Sequence, residues 1–213
     1  MSERFPDYDI LRKRRTPSWN EATRLVIDRR LAMSREPRFF NAEEWQTLNA
    51  ICDRIVPQPA HRPPIPVAAM IDERMANNRT DGYRNARLPP MQQAWRRGLA
   101  ALDHTAQTRH GTRFLALTAA QQDALLHDAE AGKLTSPAWG NMPSDLFFSQ
   151  RVTHDIVAAY YAHPTSWNEL GFGGPASPRG YVRMGFDRRD PWEAVEAEPD
   201  READAARQNR NVG

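Results

Sequence analysis

The sequence predicts an all-α protein. The expected architecture is a compact body of about five to six helices, with an extended N-terminal arm and a long irregular C-terminal segment rich in glycine, proline and aromatics. Three observations lead there. Apolar residues recur at three- and four-residue spacing in window after window. Alternating β-branched runs are absent. Capping patterns stand where the apolar stripes begin.

Residues 1–38 read as a basic arm carrying one helix. Ser18 with Glu21 three residues on has the form of a capping box, and Leu25, Val26, Ile27 and Leu31 follow, so a helix is expected near 19–33. Residues 39–162 form the helical domain. Its clearest helix starts at Asn41, with Glu44 closing the box, and carries Trp45, Leu48, Ile51, Cys52 and Ile55 on one stripe. Pro57 and Pro59 stop it. A proline-rich connection leads to a helix near 66–78 with Val67, Met70, Ile71 and Met75. Asp81-Gly82 marks a turn. A long helix near 89–110 presents Trp95, Leu99, Leu102 and Ala106, and Gly111 ends it. Thr118 and Gln121 open another helix that carries Leu125 and Leu126. The last helix, near 144–161, carries Leu146, Phe147, Val152, Ile156, Val157 and Tyr160.

The segment 163–192 contains Trp167, Phe172, Tyr181, Phe186 and Trp192 among five glycines and four prolines, with no helical or strand period. A disordered tail would be poor in large aromatics, so these rings lie against something. The reading favoured here is a partner wrapped by the segment. Its expected anchors are Trp167, Phe172, Tyr181, Phe186 and Trp192, with Arg179, Arg183, Arg188 and Arg189 as polar contacts, since tryptophan, tyrosine and arginine dominate binding hot spots. Residues 193–213 are charged and lack aromatics, and read as a frayed tail.

Composition narrows the function classes. The charge is nearly balanced, 29 basic against 27 acidic residues, which argues against a nucleic-acid binder. Cys52 is the single cysteine, so no intrachain disulfide or cysteine cluster forms, and its place in an apolar stripe predicts a buried, inert thiol. Arg14-Arg15 and Arg29-Arg30 are not followed by an apolar run, so neither reads as a signal peptide. No apolar stretch approaches membrane-spanning length.

No catalytic, cofactor-binding or metal-ligating residue is expected on this chain. The six histidines form no tight metal-ligand spacing. Gly171-Phe172-Gly173-Gly174 does not follow a strand, as a phosphate cradle would require. Two alternatives stay open. One is a stand-alone enzyme using His154 with Asp155, weakened because neighbours on a helix point in different directions. The other is a DNA-binding or regulatory module using Arg12-Lys13-Arg14-Arg15.

A family resemblance rests on a series of phrases: Phe39-Phe40 with Glu43-Glu44-Trp45, Leu99 with Leu102-Asp103, Phe114 with Leu117, Gln121-Gln122 with Leu125-Leu126, and Phe147-Phe148 with Thr153. Over residues 39 to about 192 the chain resembles the gluconate 2-dehydrogenase subunit 3 family. The resemblance implies a small subunit that carries no flavin. Its expected partner is an FAD-containing oxidoreductase subunit of the glucose-methanol-choline type that oxidises sugars or glycosides. A c-type cytochrome often completes such a complex. The small subunit is thought to support folding, stability and export of the large one. Many members carry a twin-arginine signal where this chain has its polar arm. The expected location is therefore the cytoplasm, or the periplasm by co-export with a signal-bearing partner.

Overall fold

The computed structural model describes residues 3–177, 180, 185 and 189–212. These are helical, with no strand among them. In chain order the α-helices are α1 (Glu21–Leu31), α2 (Ala42–Ile55), α3 (Val67–Ala76), α4 (Met91–His110), α5 (Ala119–Glu130), α6 (Ser144–Phe147), α7 (His154–Ala162), α8 (Pro164–Leu170) and α9 (Glu202–Asn209). A π-helical stretch, Phe148–Thr153, connects α6 to α7. The chain forms two compact units: Ser34–Tyr160, and Met1–Met33 together with Tyr161–Gly213.

In the unit Ser34–Tyr160 the predicted stripes supply most of the core, with Trp45, Ile55 and Met70 only partly buried. Leu48, Ile51 and Cys52 of α2, Val67, Ile71 and Met75 of α3, and Trp95, Leu99, Leu102 and Ala106 of α4 are all buried. Burial pushes the Cys52 thiol pKa up, with Asp53 adding to the shift, so it stays protonated and inert. Both predicted capping boxes close, Asn41 with Glu44 and Thr118 with Gln121. Gly111 takes the left-handed conformation (φ 71°) that ends α4.

An aromatic column runs through this core. Phe40, Trp95, Phe147 and Trp139 meet edge to face, with successive centroids 6.4, 5.6 and 5.7 Å apart. The Phe147 ring lies so close to α4 that a Cβ on Gly98 would sit 2.1 Å from it.

Three polar groups fasten loops to the helices, two of them (Asp72 and Gln122) buried and Asp103 partly so. Asp72 on α3 accepts the backbone amides of Arg38, Phe39 and Phe40 at 2.7, 3.0 and 2.9 Å. Asp103 on α4 accepts the amide of Phe114 at 3.0 Å, the Arg113 guanidinium at 2.8 Å and the Thr47 hydroxyl at 3.2 Å. Gln122 on α5 donates to the Phe114 carbonyl at 3.0 Å. The Phe39-Phe40 and Leu102-Asp103 phrases thus have a structural basis: their amides and carboxylate join consecutive helices.

The second unit departs from the sequence reading in several places. Residues 3–17 do not form an extended arm. Ile10–Arg15 forms a 3₁₀ helix, and Phe5, Tyr8 and Ile10 are buried with Trp19, Ile27, Trp167 and Val212. The helix cap is Asn20, which accepts from the Thr23 amide at 2.9 Å; Ser18 lies buried in the turn before it. Of the predicted α1 stripe only Ile27 is buried, while Leu25, Val26 and Leu31 face outward. The stretch expected to be irregular begins with α8, capped by His163 and with Pro164 at its first position. The expected frayed tail contains α9. There Asn209 is fully buried, donates to the carbonyls of Pro6 and Val195 (both 2.9 Å) and accepts from the Val195 amide at 2.7 Å. A side chain that bridges chain ends this distant in sequence has no local signature.

Lys13 explains why the basic run is not a free DNA-binding arm. It is fully buried, and its ammonium donates to the carbonyls of Gly173 at 3.2 Å and Trp192 at 2.5 Å. Arg14 pairs with Asp28, and Arg12 donates to the carbonyls of Asp7 and Asn209.

Gly98→Ala is expected to destabilise the protein. Alanine's better helix propensity is worth about 1 kcal/mol. Overpacking against a buried ring costs about 1–3 kcal/mol, often more when the overlap is deep, and an overlap at 2.1 Å favours the upper end. Urea denaturation should give a net loss of at least about 1 kcal/mol; a gain in stability would contradict the packing described.

Candidate functional site: a buried ion cluster beneath an exposed loop

The densest polar constellation lies in the unit Ser34–Tyr160. Arg74 comes from the last turn of α3, Asp81 from the loop that follows, Trp95 from α4, Arg151 from the π-helical stretch, and His154 and Asp155 from the start of α7. Asp155 is at the centre, with a side chain only 1 % exposed. It accepts from the Trp95 indole at 2.8 Å, Arg151 at 3.3 Å, Arg74 at 3.3 Å and the His154 ring at 3.0 Å. Both guanidiniums then reach Asp81: Arg151 at 3.0 Å, and Arg74 through a further direct bond.

The electrostatics are those of a closed square. Two carboxylates alternate with two guanidiniums, so the buried charges neutralise one another. Burial works against the charged form of Asp81, but hydrogen bonds from Arg151 and Arg74 outweigh it and hold its pKa below the ordinary carboxylate value.

This arrangement limits the chemistry. Donor atoms of Asp81, His154 and Asp155 lie within 4.8 Å of one another, a spacing that three metal ligands can have. The same carboxylates already hold Arg74 and Arg151, so a divalent ion would enter against two fixed positive charges. The donor set does not fit a metal. For a catalytic dyad, the sequence argument held that His154 and Asp155 point apart, yet they are in contact. Asp155 is nonetheless engaged by Trp95 and two arginines, and His154 is half exposed. The cluster is built to hold α3, α4, α7 and the loop after α3 together.

Sequence reading identified His154 and Asp155 but not Arg74, Asp81, Trp95 or Arg151. A signal was present: Asp155 sits between Val152 and Ile156 in an apolar stripe, and Arg151 lies four residues before it, one helical turn away. Nothing local pointed to Asp81 or Arg74.

The predicted partner-contact residues fall into four groups. Trp167 is buried in the chain's own second core, its indole donating to the Tyr161 carbonyl at 2.7 Å. Phe172 remains 45 % exposed and meets Trp167 edge to face at 5.7 Å. Arg189 donates to the Glu193 carbonyl at 2.5 Å and to Gln208 at 3.2 Å, and Trp192 is half-buried with its carbonyl on Lys13. Arg179, Tyr181, Arg183, Phe186 and Arg188 lie outside the described residues.

Two results are expected from the cluster. Asp155→Ala strands the buried Arg151 guanidinium and a buried indole donor and removes one partner of the partly exposed Arg74, and should cost about 3 kcal/mol in chemical denaturation; a cost below about 1 kcal/mol would contradict the central role given to this carboxylate. Asp81 sets the acid side. Its folded pKa is depressed, so its contribution to stability is complete above the ordinary carboxylate pKa near 4 and is lost as the pH falls below that value. Asp81→Asn should therefore flatten the fall in urea midpoint between about pH 4 and pH 2.5. An unchanged slope would refute the pairing.

Compared with known proteins, the chain matches the family model described as gluconate 2-dehydrogenase subunit 3 over residues 42–174, more than half its length. The match stops short of the Gly/Arg-rich stretch that the sequence resemblance included. No curated protein and no solved structure matched.

Proposed function

The chain belongs to the gluconate 2-dehydrogenase subunit 3 family, and on that premise we propose that it is the non-catalytic small subunit of an FAD-dependent sugar or glycoside dehydrogenase complex. The proposed partner is a flavoprotein of the glucose-methanol-choline type, which holds the FAD and carries out the oxidation. A c-type cytochrome is a proposed further member of the assembly. The small subunit supports folding and stability of the flavoprotein, and its export where the flavoprotein carries the signal.

The observation that supports this reading is the use made of buried and partly buried polar side chains in the matched region. Asp72 binds three backbone amides, Asp103 and Gln122 bind the backbone of Phe114, and Asp155 binds Trp95, Arg74 and Arg151. Each closes a bond that maintains the fold. A catalytic carboxylate would be left partly unpaired and aimed at a substrate position.

A second reading takes the 3.0 Å contact between His154 and Asp155 as a catalytic dyad. It requires that the purified chain oxidise or hydrolyse something alone, and that His154→Ala abolish this.

Purification of the tagged chain from its native host should yield a yellow, stoichiometric complex with a flavoprotein. That complex should oxidise a sugar or glycoside with an artificial acceptor, and its turnover should change less than about twofold in His154→Ala. A colourless chain without a dehydrogenase subunit, or activity of the isolated chain lost with His154, would overturn the proposal.

A further inference from the structure

The loop between α3 and α4, residues 77–90, is the least explained part of the unit Ser34–Tyr160. Tyr83 at its tip is 75 % exposed, the highest value among the exposed large apolar side chains described. Arg79, Arg84 and Arg87 are exposed around it and form no ion pair among the described residues. The loop's only acid, Asp81, is already held by Arg74 and Arg151. The outward face of the loop is therefore cationic with no acid to balance it. Beside it opens a cleft of about 230 Å³. Tyr83, Leu88, Pro89, Pro90 and Met91 give this cleft its apolar wall, and Arg84, Arg151 and the Asp81 that Arg151 holds give its charged one.

The loop is also held in shape. Arg74 donates to the Arg79 carbonyl at 3.0 Å, Arg84 bonds the Leu88 carbonyl, and the Leu88 amide donates to the Asn85 carbonyl at 3.0 Å. Gln92 on α4 donates to the Met75 carbonyl at 2.7 Å, fixing the far end. A solvent-exposed loop that only linked two helices would not need a four-charge cluster at its root, two of whose members, Arg151 and Asp155, are buried. Such pinning reduces the ordering entropy lost on binding.

We propose that this loop and its cleft are a docking surface for an acidic segment of the dehydrogenase subunit. An aspartate or glutamate of that segment meets Arg79, Arg84 and Arg87, and a neighbouring apolar side chain enters the cleft against Tyr83. The inference rests on the subunit reading above. The composition supports a protein partner, since tyrosine and arginine are the residues most enriched at binding hot spots. The charge supports an acidic one, because potentials across an interface are complementary. The ion cluster then has a functional consequence: Asp155, through Arg74 and Arg151, positions the loop by way of Asp81.

The test uses the complex purified with the full-length chain. Dissociation on dilution is followed by mass photometry for the wild type, the double variant R79E/R87E and Y83A, at about 50 mM and about 500 mM salt. The altered side chains are exposed, so thermal unfolding of each free variant should match the wild type. The expected result is at least about tenfold weaker assembly for R79E/R87E and for Y83A. The wild-type complex should weaken with salt, and R79E/R87E should be less sensitive to it. If the wild type forms no complex with a dehydrogenase subunit, the subunit reading itself fails. If the complex forms and both variants match it, the docking surface is wrong while the subunit reading stands. Two further outcomes also overturn the inference: loss in the variants of binding to anionic phosphatidylglycerol vesicles with assembly unchanged, or loss of self-association of the chain with assembly unchanged.

Discussion

A single buried carboxylate organises the unit Ser34–Tyr160. Asp155 is nearly inaccessible and binds an indole, an imidazole and two guanidiniums. A charge in that position is tolerable only because it is paired and hydrogen-bonded on all sides. In return it orients Trp95, the ring that links Phe40 to Phe147 in the aromatic column. It also brings Arg74 and Arg151 to Asp81, so the loop after α3 is fixed to the core through two ionic links. Replacing such a cluster with apolar side chains would often cost no stability. The argument for keeping it is positional: it presents one exposed loop in one conformation.

The second unit reaches the same end by different chemistry. Lys13 and Asn209 are fully buried polar groups whose partners are backbone carbonyls and an amide of remote segments. Burial, with Asp9 nearby, pushes the Tyr8 phenol pKa up, so it stays a hydrogen-bond donor to the Phe172 carbonyl. Irregular backbone packs against a core only when its polar groups find partners. Here Tyr8 and Lys13 from the N-terminal residues and Asn209 from the C-terminal ones supply them, so these terminal segments are part of a folded unit.

What was legible in the sequence is what is local. The capping boxes at Asn41 and Thr118, the left-handed Gly111 and the stripes of α2, α3 and α4 depend on residues within a turn or two of one another. The structure reproduces them. Apart from the cap and stripe of α1, the misreadings involve long-range bonds. Residues 1–17 read as a polar arm because Phe5, Tyr8 and Ile10 have no period, and their burial depends on Trp19, Trp167 and Val212. The tail read as frayed because Asn209, its key residue, is ordinary in composition and decisive only where it meets Pro6 and Val195. Trp167 was correctly expected to be covered, but the cover in this structure is the chain itself. At the candidate site, the Arg151–Asp155 spacing was readable as one helical turn. The contribution of Arg74 and Asp81 was not, since it arises from a loop that folds back onto α7.

In the assembly proposed here, a rigid helical scaffold presents the loop after α3 to a dehydrogenase subunit. Hydrogen–deuterium exchange of this chain, free and within the purified complex, separates this arrangement from others. Exchange should slow at the amides of residues 79–88 on assembly, while the α4 amides from Leu99 to Ala106, within the core helix, stay unchanged. Loop amides that exchange equally fast in both states, with protection appearing elsewhere on the chain, would contradict it.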